Sequence, residues 1–506
     1  MPAAAYSVGR FRRAAVQLVG GRMAQAAARV VLVLAVVRIL PVEDYGAYML
    51  IVGTAEMMLQ VGSFGILPLA QRYLPQMLTT LPLRRLYGFV AFLVLAQLAI
   101  FAGIAGLIAA FWDVLTPVFG MSAAQSEATR IAAWMFLAIP AFRFTAELLE
   151  SMLGFGQIAR AVMVMARAGA VLLLILLLPV VHLRDVLVVD MVVTGLCALF
   201  VLGRIRRCLH ALHAPSASGS LPVGEMWRFA RHMALVGPMS ATSNPGAVRL
   251  VLANGLGLAE SGLFAFLQTL ERLVSRYLPA TLLKNLIRPV LISRYVGRGN
   301  SELLSAGTGL LLKSNMLAVI GGLVVIAVCG DEIVAIMSGG KFTGAGLTLL
   351  LLYVNMIATS QRGVQEMVMQ ITGHTRALWI TSVVSPVALL LIWLCSGFGL
   401  NVAVLIMTAG SLIANSLAAG VLQTKTDWFR VDWRGMAAIF LPGLAAAVLG
   451  LLLTGWTHPL LAGALGLVLF VMLLRIGRPF NGGEIGAVER VVGRRAVKLL
   501  RGFAVS

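Results

Sequence analysis

Fourteen apolar stretches run through this chain of 506 residues, each about long enough to cross a membrane. A helix that spans the bilayer core needs about 20 predominantly apolar residues. Hydrophobic residues make up 60% of the sequence and charged residues only 12%, against about 25% charged residues in soluble domains. The sequence therefore predicts an all-α polytopic membrane protein and excludes a water-soluble enzyme and a single-anchor protein. The expected spans are 16–37, 46–70, 87–111, 129–150, 161–181, 186–203, 232–253, 262–283, 303–328, 346–369, 377–397, 401–421, 437–455 and 460–475.

The basic residues give the orientation of these spans. With the N-terminus placed in the cytoplasm, the inside segments hold 27 of the 40 Lys and Arg residues, and the outside loops hold three. Cytoplasmic loops carry an excess of Lys and Arg, so this ratio predicts that both termini are cytoplasmic. It also explains the net charge of +20 without a nucleic-acid partner.

The second half of the chain weakly repeats the first at one constant offset. The residues Leu40, Asp44, Gly46 and Tyr48 follow the first span, and Leu256, Glu260, Gly262 and Phe264 follow the seventh. Glu150 and Arg160 match Glu366 and Arg376 at the same offset. Two parallel lobes of six helices around a midplane cavity are typical of secondary transporters. The predicted division is an N-terminal lobe, a C-terminal lobe, two further spans and a basic cytoplasmic tail, at 1–215, 216–424, 425–475 and 476–506.

Polar side chains form stripes on six of the spans. An ionised side chain at the bilayer centre costs about 2.5–3.5 kcal/mol on insertion scales, so these residues need water or partners. We expect Arg143 to pair with Glu147 one helical turn away. The other spans are poorer and carry isolated groups such as Arg167, Asp190 and Lys313. The stripes comprise Arg22, Gln25 and Arg29; Glu56, Gln60 and Ser63; Arg143, Glu147 and Glu150; Arg249; Gln268, Glu271 and Arg272; and Asn355, Thr359, Arg362 and Glu366.

The seventh span contains Ser243-Asn244-Pro245-Gly246. Proline removes a helix hydrogen bond, so this sequence predicts the broken helix often found at transport sites.

No pattern in the sequence predicts an enzyme, a cofactor or a metal site. Gly339-Gly340-Lys341 lacks the first glycine of a phosphate-binding loop, because Ala335 stands in its place. His210 and His213 lie in a basic loop, where solvated side chains are expected.

The sequence Leu40-Pro-Val-Glu-Asp-Tyr-Gly-Ala-Tyr48, after a first span that contains arginine, resembles the Wzx-type oligosaccharide flippases of the polysaccharide-transport family. Their superfamily also includes lipid II flippases and multidrug and toxin extruders. The segment 336–346 before an apolar helix is similar to that family's entry into the tenth span. The resemblance covers the layout of the first twelve spans, and only short stretches match in residues.

The resemblance implies that the chain carries an undecaprenyl-pyrophosphate-linked oligosaccharide from the cytoplasmic to the periplasmic leaflet of the bacterial inner membrane. It also implies membrane lipids, a polysaccharide polymerase and chain-length proteins as partners. Guanidinium groups bind pyrophosphate through paired hydrogen bonds. We expect Glu56 and Glu271 either to carry a coupling proton or sodium ion or to pair with arginines. The expected substrate ligands are Arg22, Gln25, Arg29, Asn244, Arg249, Gln268, Arg272 and Arg362.

Two other functions stay open at this stage. One is a drug or small-cation extruder of the same superfamily, which arginines in the cavity disfavour. The other is a membrane-embedded polymerase or ligase of lipid-linked sugars, which usually carries a long outside loop.

Overall fold

The computed structural model describes residues 25–152, 156–212, 223–242, 244–279, 301–371 and 382–491. The chain divides into two compact units, Met1–Ala265 and Phe266–Ser506. The N-terminal unit contains α1 (25–39), α2 (Val42–Gly62), α3 (Ile66–Thr80), α4 (Leu83–Ala110), α5 (Trp112–Leu115), α6 (Ala123–Thr129), α7 (Met135–Ser151), α8 (Gly156–Leu177), α9 (Leu183–Leu212), α10 (Val223–Ala241), α11 (Pro245–Leu256) and the start of α12 (Leu258–Ser275). The C-terminal unit contains the rest of α12, then α13 (Ser301–Ser338), α14 (Gly346–Ile371), α15 (Val384–Leu394), α16 (Leu400–Lys425), α17 (Trp433–Leu453), α18 (Pro459–Gly477) and α19 (Gly482–Val491).

Eight of the described helices are long and apolar enough to cross a membrane, or nine when a bent helix pair is counted as one span. Each of the fourteen predicted spans contains a helix in its described part. The helices leave large apolar side chains such as Leu176, Leu199 and Leu452 exposed on the protein surface. A surface of this kind suits lipid rather than water. The prediction of an all-α, multi-pass membrane protein is confirmed.

The second predicted span, 46–70, is not one straight helix. It bends by 64° between Val42–Gly62 and Ile66–Leu74. The break lies at Phe64 and Gly65, whose φ angles of 41° and 80° are left-handed. A side chain at position 65 would collide with the backbone carbonyl of Ala230 on α10. Glycine is needed here because it adopts a positive φ without strain and lets α10 approach.

Helix starts in the two halves follow the offset seen in the sequence. Helix α2 starts at position 42, and its counterpart α12 starts at position 258. Helices α9 and α16 form a second such pair, with starts at positions 183 and 400. Helices α4 and α13 form a third, with starts at positions 83 and 301. The separation is nearly the same in all three pairs, so the weak sequence repeat coincides with a repeat of helices.

The matched glycines Gly46 and Gly262 pack against each other inside the N-terminal unit. A Cβ atom on Gly262 would lie 2.9 Å from the Cα of Gly46. A Cβ atom on Gly46 would overlap the carbonyl oxygen of Leu258. Small residues let helix backbones approach closely in membrane proteins. These glycines therefore allow α2 and the start of α12 to touch.

We expect Gly46→Ala to destabilise the protein by about 1–3 kcal/mol, the usual cost of overpacking. The matched control is Gly103→Ala on α4, where a Cβ meets nothing within 4 Å. The control is expected to be neutral or to stabilise by up to about 1 kcal/mol, since alanine favours the helix over glycine. Denaturant unfolding in mixed micelles measures both. Equal effects of the two substitutions would contradict close packing at Gly46.

Candidate functional site

The charged face of α7 connects four helices of the N-terminal unit. Arg143, Glu147 and Glu150 share this face because they are four and three residues apart. Arg143 Nη2 lies 2.7 Å from Glu56 Oε1 on α2. Gln71 Nε2 on α3 donates to Glu147 Oε2 at 3.0 Å. Glu150 forms an ion pair with Arg160 on α8. We call these six residues the α7 cluster.

The α7 cluster corrects one expectation from the sequence. The pairing of Arg143 with Glu147 is wrong, because the ion pair of Arg143 is with Glu56. Glu56 is the more enclosed group of this pair, because its side chain is 17% exposed and that of Arg143 is 39% exposed. Without Arg143, the Glu56 carboxylate would be left largely buried and without this counter-charge, which is costly. The alternative in which Glu56 is held by an arginine is therefore the one that the structure has.

Some charged side chains of the α7 cluster are only partly buried. The side chains of Arg160 and Glu150 are 36% and 39% exposed. Glu150 ends the predicted span 129–150 and Arg160 directly precedes the span 161–181, so this pair lies at the membrane boundary, where water reaches it. The cluster offers two guanidinium groups, three carboxylates and an amide. These groups can donate to phosphate oxygens and exchange hydrogen bonds with sugar hydroxyls.

The predicted break in the seventh span is present. Helix α10 ends at Ala241 and α11 begins at Pro245. The Asn244 side chain caps α11 by accepting from the Gly246 amide at 2.9 Å. It also donates to Gln60 Oε1 on α2 at 3.3 Å. Asn244 is therefore fixed by two protein contacts next to the break.

Arg249 lies deep in the N-terminal unit and is 4% exposed. Its Nη1 donates to the carbonyl oxygen of Met49 on α2 at 3.3 Å. A side chain at Gly53 would approach this nitrogen to 2.9 Å, so the glycine makes room for the guanidinium. This geometry fits a residue that joins α11 to α2.

The remaining predicted residues of the N-terminal unit lie on α1. Gln25 and Arg29 are half-buried, and Arg29 interacts with other groups. Their spacing of four residues puts them on one face of the helix. Arg22 lies outside the described residues.

The predicted residues of the C-terminal unit lie on α12 and α14. Gln268 is buried, whereas Glu271 and Arg272 are half-buried on the same helix. Arg362 Nε donates to Glu366 Oε1 at 2.8 Å, one turn along α14. This contact is an ion pair within one helix.

The N-terminal unit contains a buried ion pair that the sequence pattern did not predict. Arg167 and Asp190, which looked isolated, pair with each other across α8 and α9, with their side chains 10% and 2% exposed. Tyr48 on α2 donates to Asp190 Oδ2 at 3.0 Å and accepts from Arg167 Nη2 at 3.2 Å. The three side chains connect three helices, which points to a structural role.

Lys313, the third group that looked isolated, is also paired. It is 1% exposed, and its Nζ lies 2.7 Å from Asp432 Oδ2 and 2.9 Å from Glu484 Oε2. The Pro479 carbonyl accepts a further hydrogen bond from this nitrogen at 2.9 Å. Asn481 Nδ2 donates to Asp432 Oδ2 at 3.0 Å. These contacts fasten the starts of α17 and α19 to α13.

Asp432 precedes the membrane-spanning helix α17, and its protonation affects stability. Burial raises the pKa of its carboxyl group, whereas hydrogen bonds from Lys313 and the Gly435 amide lower this pKa by a larger amount. The net pKa therefore lies below that of an ordinary aspartate. Such a group stabilises the fold above its unfolded pKa of about 3.9, and this contribution disappears as the pH falls through the folded value. We expect Asp432→Asn to lose less stability between pH 5 and pH 3 than the parent protein. Melting temperatures in detergent check this, and equal losses would contradict it.

Within the described ranges, the structure brings together no three His, Cys, Asp or Glu side chains that could hold a metal ion.

Comparison with solved structures identifies one architecture over nearly the whole chain. The lipid II flippase MurJ, in an inward closed conformation, superposes with a TM-score of 0.71 at 12% sequence identity. The alignment covers 91% of this chain and 98% of the MurJ chain. No family model and no curated protein sequence matches. At so low an identity the likeness shows the fold, so this chain is a multi-pass membrane protein with a MurJ-like fold.

Proposed function

We propose that this protein is a flippase that moves a lipid-linked oligosaccharide between the leaflets of the bacterial inner membrane. In this proposal the substrate is an undecaprenyl-pyrophosphate-linked repeat unit of a surface polysaccharide, carried from the cytoplasmic to the periplasmic leaflet. The observation that carries the proposal is the fold shared with a lipid II flippase over 91% of the chain. Repeated halves suit a transporter that opens alternately to each side.

The charged groups inside the helical units support an anionic, sugar-bearing cargo. Lipid-linked oligosaccharides combine a pyrophosphate, many hydroxyl groups and a lipid tail that stays in the bilayer. We propose Arg29 and Arg272, with Arg22, as ligands of the pyrophosphate, because guanidinium groups bind such oxygens through paired hydrogen bonds. Gln25 and Gln268 are proposed to bind sugar hydroxyls.

Three further residues of the expected site have protein contacts that fix their position in the structure. Arg249 is buried against α2, and Arg362 pairs with Glu366. Asn244 caps α11. For each of these, contact with the substrate needs a change of partner during the transport cycle. Of the two proposed coupling residues, Glu56 is held by Arg143, and Glu271 becomes the main candidate for an ion site.

The proposal is tested by locating the lipid-linked oligosaccharides of a deletion strain. If the protein is a flippase, complete repeat units accumulate on the cytoplasmic face and surface polysaccharide is lost. If complete units reach the periplasmic face but are not extended or attached, the protein is a polymerase or ligase. If no glycan changes and the strain becomes sensitive to cationic drugs, the protein is an extruder.

Lipid II itself is a second candidate cargo, because the structural neighbour is described as a lipid II flippase. The same deletion strain distinguishes the two cargoes. Loss of a polysaccharide flippase leaves cell-wall synthesis intact. Loss of a lipid II flippase stops cell-wall synthesis and traps lipid II on the cytoplasmic face.

Arg29→Ala and Arg29→Lys are both expected to lower export at least about tenfold while the protein still inserts. Lysine keeps the charge but cannot bind pyrophosphate through two parallel hydrogen bonds. Arg38→Ala, at an exposed position of the same helix, is the matched control and should leave export near the parent rate. Surface polysaccharide in the complemented deletion strain is the measurement. Normal export by both Arg29 variants would remove Arg29 from the site.

A further inference from the structure

Seven exposed arginines lie on neighbouring elements of the N-terminal unit. They belong to four elements: the middle of α3, the start of α4, the last turns of α9 and the first half of α10. Glu225 is the exposed acidic residue on the same part of α10. We call this set the α10 surface. The arginines are Arg72, Arg84, Arg85, Arg206, Arg207, Arg228 and Arg231.

Helix α3 packs against both α4 and α10, and α4 also packs against α9. The Tyr87 hydroxyl on α4 donates to the Arg206 carbonyl on α9 at 3.0 Å, and the rings of Tyr87 and His210 are 5.2 Å apart. On the α10 side, the ring centroids of Tyr73 and Phe229 are 6.0 Å apart. The Arg72 guanidinium carbon lies 4.6 Å from the centre of the Phe229 ring.

The α10 surface lies at a membrane boundary, because its seven arginines all lie just outside the predicted spans 46–70, 87–111, 186–203 and 232–253. The apolar helices Leu83–Ala110 and Leu183–His210 are both long enough to cross a bilayer. The contacts of Tyr87 join the first turns of one to the last turns of the other, so these two ends reach the same side. The arginine pairs lie next to these ends. Arginine near the end of a spanning helix places its charge in the headgroup layer.

An exposed tryptophan completes this surface. Trp227 is 68% exposed and directly precedes Arg228, while Met226 on the other face of α10 is buried in the apolar core of the unit. Tryptophan is enriched at the membrane interface, where its ring lies at headgroup depth. Helix α10 thus exposes Trp227, Arg228 and Arg231 on one face and buries Met226 on the other.

We propose that the α10 surface binds anionic phospholipid headgroups of the adjoining leaflet. Six excess positive charges complement phosphate groups, and juxtamembrane basic clusters bind anionic lipids in this way. Trp227 supplies the contact with the glycerol and acyl-chain region. This surface lies outside the proposed substrate residues, and the inference does not depend on the proposed function.

The test compares phosphatidylglycerol binding by the full-length protein and by R84Q/R85Q/R228Q/R231Q. Native mass spectrometry of protein from nanodiscs of phosphatidylcholine with phosphatidylglycerol counts the retained lipids. We expect the variant to bind phosphatidylglycerol about tenfold or more weakly, since each basic residue near the surface contributes substantially. The matched control K425Q/R430Q/R434Q/R475Q removes four exposed charges from other helix ends and should keep this site. Equal losses in both variants would show a mere net-charge effect and overturn the proposal.

A second measurement uses a variant that keeps every charge. Phosphatidylglycerol with brominated chains should quench the fluorescence of Trp227, obtained as the difference between the parent protein and Trp227→Phe, more strongly than brominated phosphatidylcholine. High salt should weaken this preference because it screens the arginines. Equal quenching by the two lipids would also overturn the proposal. This measurement does not depend on whether the quadruple variant R84Q/R85Q/R228Q/R231Q folds.

Discussion

Replacing Lys313 with methionine is expected to lower the free energy of unfolding by about 3–5 kcal/mol, because removing one partner of a buried ion pair leaves the other charges uncompensated. Lys313 is 1% exposed and contacts two carboxylates, Asp432 and Glu484. Methionine has a similar shape but provides no charge and no donor. The Glu484 side chain, only 7% exposed, would lose its counter-charge, and the starts of α17 and α19 would separate from α13.

Denaturant unfolding in mixed micelles measures this loss. Lys425→Met, at an exposed lysine at the end of α16, is the matched control and should change stability by less than about 0.5 kcal/mol. The triple variant K313M/D432N/E484Q removes all three charges and should recover part of the loss. If Lys313→Met were no worse than Lys425→Met, the buried lysine would not be what fastens these helices.

The helices themselves could be predicted from the sequence, since apolar stretches of membrane-spanning length are a strong local signal. The break at Asn244 and Pro245 was also predictable, because proline ends the hydrogen-bond pattern of the preceding turn. The bend at Phe64 and Gly65 was not. It depends on the contact of Gly65 with the carbonyl of Ala230, a residue of α10 that is far away in the chain.

The pairing of charges was the least predictable part of the candidate site. Arg143 has a carboxylate one turn away on its own helix, and yet its ion pair is with Glu56 on α2. Lys313 contacts Glu484, which is 171 residues away. Sequence spacing ranks partners within one helix, but helix packing decides among partners on different helices. This is why residues that looked isolated have partners in the structure.

The ion pair of Arg167 and Asp190 could have been predicted from the sequence. Helices α8 and α9 are consecutive and packed together, with only a short connection between Leu177 and Leu183. In such a hairpin, residues at equal distance from the turn lie at equal depth. Arg167 lies ten residues before the end of α8, and Asp190 lies seven residues after the start of α9. Opposite charges at similar depth in neighbouring spans predict an ion pair, because either charge alone is costly there.

Asp190→Asn is therefore expected to destabilise the N-terminal unit by about 3–5 kcal/mol, because it removes one charge of a buried ion pair and leaves the other uncompensated. Asparagine keeps the shape and can still accept from the Tyr48 hydroxyl, which now donates to Asp190 at 3.0 Å. It cannot balance the charge of Arg167, which is nine-tenths buried. The expected loss thus comes from the charge and not from a cavity.

The exposed pair of Asp113 and Arg130 provides the matched control. Their side chains are 74% and 63% exposed, and the charged atoms are 4.0 Å apart. Asp113→Asn removes the same chemical group and should cost less than about 1 kcal/mol. The double variant R167M/D190L should be more stable than Asp190→Asn alone, because replacing both partners of a buried pair by apolar residues is often neutral. If the double variant were less stable than the single one, the hydrogen bonds of Tyr48 with Arg167 and Asp190 would matter more than the balance of charge.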